Sequence, residues 1–243
     1  VLTSLTSRTR EPVDGASLAV VRIALGAVAV LSAVRIWWYG WIEALYAGPT
    51  HRFTYLGLGW VPQPETWVVQ ILVAGVAVAG ACLLLGWRTR LGAATLLVAF
   101  GWIEAIDATT YLNHYWFVTL LAALAIVVPF GATASLDARR RLRRQQPPLA
   151  VGRGWVWLVR FQVATVYVFA GLAKLNADWL VRGLPLGLWL PARADLMVIG
   201  PLFEAPATAL VASWAGALFD CLVVPALLWR RTRLAAWAVL VAF

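Results

Sequence analysis

The sequence predicts an all-α fold, a polytopic integral membrane helical bundle of six full spans and a truncated seventh. Three observations predict it. Hydrophobic side chains make up 62% of the 243 residues and charged ones only 13%. Soluble domains run at roughly 45–50% and about 25%, so this chain has more apolar surface than a water-facing shell can hide. The apolar residues fall in runs of about 20, the length a helix needs to cross a hydrocarbon core. The 20 Lys and Arg, against 11 Asp and Glu, stand in short clusters between those runs. That spacing removes the nucleic-acid reading a strongly basic chain would otherwise invite. With 2 Cys, 12 Pro and 19 Gly, disulfide-rich, disordered and collagen-like classes are excluded as well.

In chain order the spans are expected at 17–38, 67–85, 91–106, 113–128, 155–175 and 207–229, with the seventh starting at 234 and cut at 243. The first is too long for a signal peptide and lacks a small-residue cleavage site. The third and fourth are short, which calls for little tilt or for extension into flanking polar residues. All of 1–243 reads as a single transmembrane domain. A half-span strands backbone groups and an apolar end, so the chain is expected to be a fragment of a longer protein. Two long loops, 39–66 and 176–206, carry Trp41, Tyr46, Tyr55, Trp60, Trp179 and Trp189, rings that suit a membrane interface. The turn from Leu85 to Ala94 resembles that from Trp229 to Ala236, either by duplication or as a common way of ending a span with Arg.

Placing the N-terminus in the cytoplasm puts thirteen Arg inside, among them Arg8, Arg10, Arg88, Arg90 and the run from Arg139 to Arg144. Only Arg52, Arg182 and Arg193 fall outside. This bias is the positive-inside pattern. The run at 139–144 is expected to be a solvated cytoplasmic loop near anionic lipid.

Ionisable groups at membrane depth are costly, and each is a functional candidate by default. They are Arg22, Arg35, Glu104, Asp107, His114, Arg160 and Lys174, with Gln70, Gln162, Asn113 and Asp220 as companions. Lys174 is the sole lysine in the chain. An arginine stays charged, whereas a desolvated lysine can lose its proton and serve as a base. The competing reading is a side chain that snorkels to outer water or pairs with Asp178, four residues on. His51 and His114 belong to the same outer side. Two His and two Cys, the latter at Cys82 and Cys221 within apolar runs, make no metal pattern. Gly-rich phosphate loops and Gly-x-Ser-x-Gly are lacking too.

Several segments then carry a likeness. They are Pro12 to Arg22 entering span one; His51-Arg52-Phe53; Asp107 followed by Asn113-His114; Arg160-Phe161-Gln162 with Val166 to Gly171; and Lys174-Leu175-Asn176-Ala177-Asp178-Trp179. Together they resemble the membrane domain of vitamin K-dependent gamma-glutamyl carboxylases and their microbial relatives, the horizontally transferred transmembrane domain family. The resemblance implies an enzyme that couples oxygenation of reduced vitamin K, or a related quinol, to carboxylation of protein glutamate. Oxygen and carbon dioxide are the co-substrates and no metal is used. It implies that Lys174 is the initiating base and that His114 stabilises charge or delivers a proton. Asn113, Asp107, Arg160, Gln162, Tyr167, Asp178 and Trp179 become candidates for the quinol pocket. Membrane lipid, the quinol and an exported glutamate-containing protein are the implied partners, with the active site toward the outer face of, for a microbial member, the bacterial cell membrane. In the animal enzymes a cysteine stands in place of His51 and a second lysine in place of Ala173, and an exported-side C-terminal region grips the substrate protein. Two alternatives stay beside this reading: a quinol epoxidase with another acceptor, and a non-enzymatic transporter or lipid-binding scaffold.

Overall fold

A computed structural model describes residues 9–242. Arg8 of the basic count and Phe243, where the seventh span is cut, lie outside the described residues. The chain forms two compact units, Val1–Val159 and Arg160–Phe243.

In the first unit, strand β1 (Pro12–Val13) pairs antiparallel with β2 (Val151–Gly152), tying the two ends of the unit together. Between them run α1 (Ala16–Trp38), a π-helical turn (Ile42–Ala47), α2 (Thr66–Leu85), α3 (Thr89–Ile106), a 3-10 turn (Ala108–Thr110), α4 (Asn113–Val127) and α5 (Leu136–Arg143). Helix α6 (Arg153–Lys174) starts in this unit and continues into the second. There it is followed by the short α7 (Ala177–Leu180), α8 (Leu186–Trp189) and α9 (Gly200–Phe203), then α10 (Pro206–Leu228) and α11 (Arg233–Ala242). Helices α1, α2, α3, α6 and α10 are long and apolar enough to cross a membrane, while α4 and α11 are shorter apolar helices. Each expected span has its helix, with ends within two residues. The chain is an all-α membrane bundle.

Small residues let the helices of the first unit approach. A Cβ added at Gly26 would lie 2.5 Å from the Leu84 nitrogen and 2.7 Å from the Gly80 oxygen, and one at Gly80 would lie 2.9 Å from the Gly26 oxygen. Helices α1 and α2 therefore cross backbone to backbone, the usual solution where lipid gives no hydrophobic drive. Leu25, Val73, Val76 and Leu83 pack around that crossing, and Leu96 and Ile103 extend the core along α3.

Arg22, a default functional candidate, has a structural task instead. It is fully buried and caps α2. Its Nη1 donates to the carbonyls of Leu83 (2.5 Å) and Leu84 (3.1 Å), and its Nη2 to that of Ala134 (2.6 Å). Leu83 and Leu84 lie in the last turn of α2, where carbonyls lack an i+4 partner within the helix, and Ala134 lies in the bend that precedes α5. Gly86, left-handed at φ 63°, completes the cap, and a side chain there would collide with Ser135 and the Arg22 guanidinium.

Three expectations change. The run at 139–144 is mostly helical rather than a loop: Ser135 caps α5 by accepting from the Ala138 N–H at 2.9 Å, Asp137 lies in its first turn and Arg140, Arg141 and Arg143 in its last. Both charge placements suit the helix dipole. Tyr46 is buried rather than interfacial. The two similar turns also use different backbones. Gly86 and Arg88 are left-handed, whereas no residue of 229–233 is. There the Thr232 hydroxyl donates to the Ala226 carbonyl (2.7 Å) and the Arg233 Nε to that of Leu227 (3.0 Å).

Candidate functional site

In the second unit, the segment from Gly171 to Trp179 assigns a task to almost every polar residue. Helix α6 meets α10 at Gly171, where an added Cβ would lie 2.8 Å from the Cys221 sulfur and 3.1 Å from the Cys221 nitrogen. That close approach brings the Lys174 Nζ within 2.5 Å of the Asp220 Oδ2, and Nζ also donates to the Ala170 carbonyl at 3.4 Å. Asn176 ends α6 and starts α7: its amide donates to the Ala173 carbonyl (2.7 Å) and its oxygen accepts from the Trp179 N–H (2.9 Å). The Trp179 ring lies 5.1 Å from the Lys174 nitrogen, and its indole N–H donates to the Ser213 carbonyl (2.6 Å). Trp179 thereby ties α7 to α10 and turns an electron-rich face toward the ammonium.

The expected alternative partner of Lys174 does not hold. Asp178 pairs with Arg182 at 2.7 Å on the exposed side, while Lys174 takes Asp220, 46 positions away. The Lys174 and Asp220 side chains are 22% and 11% exposed, so the pair is largely shielded. Tyr167, about two turns before Lys174 on α6, packs edge-on against Phe219 of α10 with centroids 5.9 Å apart. Lys174 and Asp220 thus form one amine and one carboxylate beside the Trp179 face, with the Tyr167–Phe219 pair on the same two helices. Such a group can bind a flat apolar ring and exchange a proton with an O–H on it. Gln162 is half-buried on α6, and Arg160 opens the unit on the same helix.

The remaining candidates lie in the first unit. Asn113 and His114 form the first turn of α4, exposed, with the imidazole edge-on to Tyr115 at 4.8 Å. Asp107 is buried and its Oδ1 accepts from the Thr109 N–H (2.8 Å), the Thr109 hydroxyl (2.9 Å) and the Phe53 N–H (3.3 Å). It pins the first long loop to the end of α3. Arg52 assists by donating to the carbonyls of Val61 (2.6 Å) and Ile106 (3.3 Å). In this chain Arg52, Phe53 and Asp107 therefore act as scaffold for the first long loop. Nearby, Glu104 is buried, accepts from the Thr119 hydroxyl at 2.6 Å and has its other oxygen unpartnered. Arg35 donates to the Tyr115 hydroxyl at 2.9 Å and lies over the Trp41 ring. Burial pushes the Tyr46 phenol up to about 12, with Tyr115 and Glu104 adding to the rise and Arg35 opposing it. The Tyr55 phenol is raised as well, first by burial. Among the described residues no group of three or more His, Cys, Asp or Glu could hold a metal ion.

Asp220 is the site residue that sequence reasoning undervalued. Its signal was present, an ionisable side chain within an apolar run, but nothing local linked it to Lys174. No solved structure matches this chain. Residues 10–243 match the HTTM domain, almost the full length of the sequence, and the match includes both the Lys174 and the His114 segments. The chain belongs to the HTTM domain family, the membrane domain of the vitamin K-dependent gamma-carboxylase family.

Proposed function

We propose that this protein is a carboxylase-like membrane enzyme that oxygenates reduced vitamin K, or a related quinol, to its epoxide and couples that reaction to carboxylation of protein glutamate. The observation that carries the reading is the shielded Lys174–Asp220 pair beside the Trp179 face, within the stretch that matches the family. Reduced vitamin K is the substrate that supplies the reducing power and, once oxygenated, a strong base. The chain supplies the first proton acceptor. An amine and a carboxylate in contact hold one exchangeable proton between them. The quinol O–H proton passes to Lys174 as the free amine, and the ammonium so formed is stabilised by the Asp220 carboxylate and by the Trp179 face. The low exposure of the pair limits water, which would otherwise quench a strong base. His114 takes the second role, charge stabilisation or proton delivery during carboxylation, and the basic helix ends face the cytoplasm, with the chemistry at the opposite face.

The test supplies membranes carrying the protein with reduced vitamin K, oxygen and labelled bicarbonate, with and without a glutamate peptide. Epoxide with label fixed in the peptide supports the reading, and Lys174→Ala should abolish both. Epoxide without fixed label leaves a quinol epoxidase that serves another acceptor. A second reading is favoured by the same ion pair, because a Lys–Asp contact between α6 and α10 can be an interhelical tie in a non-enzymatic lipid-binding scaffold. Absence of both products, with the protein folded, selects that reading.

A further inference from the structure

The Arg-rich end of the first unit contains a cavity of about 590 Å³, bounded by the start of α3, the end of α4 and the polar face of α5. Arg88, Arg90, Arg140, Arg141 and Arg144 line it, with Asp137 as the one carboxylate. That carboxylate is already engaged. It accepts from the N–H groups of Arg88 and Thr89 and from the Thr89 hydroxyl, each at 2.8 Å. The ion pairs among the described residues involve Arg153, Lys174 and Arg182 only, so none of the five lining arginines has a carboxylate partner. Three of them are oriented nonetheless. Arg88 and Arg140 stack on the Trp87 ring at 5.6 and 5.8 Å. Arg141 donates to the Pro147 carbonyl through Nε (3.2 Å) and Nη2 (3.1 Å), drawing the 145–149 segment over the rim. Arg88 is left-handed at φ 45° and Gln145 at φ 54°, strained positions of the kind that gather at ligand sites. At the rim, Leu91 and Leu149 are 57% and 43% exposed.

Planar, oriented guanidinium forks match phosphate oxygens, and apolar side chains at the rim match acyl chains. We propose that this cavity binds the phosphate headgroup of an anionic phospholipid, with the acyl chains running over Leu91 and Leu149. A free phosphate would use the same forks but not the apolar rim, and the test separates the two.

The full chain, delipidated in detergent, is titrated with phosphatidylglycerol, phosphatidylcholine or inorganic phosphate. Binding is read by thermal shift and by retained lipid in native mass spectrometry. Phosphatidylglycerol should bind and raise the melting temperature, and the other two should not. Replacing Arg140 and Arg144 with Gln should weaken phosphatidylglycerol binding about tenfold or more. Arg139→Gln with Arg143→Gln, also exposed on α5 but outside the cavity lining, should cost less than about threefold. Lysine at 140 and 144, which keeps charge and fold, should give an intermediate loss because the fork is gone. Equal losses from the two glutamine pairs would reduce the effect to surface charge and overturn the proposal. So would phosphatidylcholine binding as well as phosphatidylglycerol, or inorganic phosphate binding as tightly as the lipid.

Discussion

Lys174 is held by a carboxylate, a carbonyl and an aromatic face at once, and this decides how its substitutions behave. Truncating one partner of a shielded pair leaves the other charge uncompensated. Lys174→Ala is therefore expected to lower stability by about 3 kcal/mol. Lys174→Ala with Asp220→Ala should recover most of that loss while remaining inactive. Denaturation of the three proteins in one detergent checks the recovery; a double variant less stable than either single one would remove the coupling. A second residue-scale expectation concerns Tyr46. Its phenol is raised from 10 to about 12 by burial, so folding gains nothing from it below pH 10. Between pH 10 and 12 the unfolded chain releases that proton and the folded one retains it, so stability falls as pH rises, by up to about 3 kcal/mol. Melting curves across that window should fall less steeply for Tyr46→Phe than for the native chain.

Among the elements, contact depends on glycine at two crossings. At the α1–α2 crossing, the atoms an added Cβ would meet at Gly26 are backbone, 2.5 to 2.9 Å away, and backbone cannot swing aside. Gly26→Ala should cost about 1–3 kcal/mol, the range for overpacking, and lower the melting temperature. At the α6–α10 crossing the nearest obstacle at Gly171 is the Cys221 sulfur, at 2.8 Å, followed by backbone at 3.1 Å. Gly171→Ala should push the helices apart by a few tenths of an ångström and loosen the Lys174–Asp220 contact, lowering both melting temperature and epoxide yield. Adding Cys221→Ala should restore part of each, since only the sulfur is relieved. Elsewhere the elements end on polar devices: Arg22 on the carbonyls of α2, Asp137 on the first N–H groups of α3 and Asn176 between α6 and α7. Each satisfies backbone groups that the end of a helix leaves without an intrahelical partner.

For the whole molecule, the proposed orientation makes a direct expectation. A cysteine replacing Arg143 should react with a membrane-impermeant maleimide only after cells are opened, and one replacing Thr54 should react on intact cells. Labelling of the first on intact cells would invert the topology and place the basic cavity on the outer face. The seven apolar segments and their ends were legible from the sequence, because crossing a membrane is a local demand on length and hydropathy that each run meets alone. The Lys174 segment was legible too, as a rare residue type in an unusual setting. Its partner was not. On one helix, position i+4 names Asp178, yet Asp178 joins Arg182 and faces outward. Asp220 became the partner only because Gly171 lets α10 come close. Likewise, sequence could list Arg22 and Asp107 as costly groups but not show that carbonyls of α2 and N–H groups of the first loop use them. The sequence by itself determined that this chain is a helical membrane protein, where its spans lie and which rare polar groups they carry. The tertiary structure decided which of those groups meet, because a contact between helices depends on their rotation and on the smallest residue at their crossing, neither of which any single run contains.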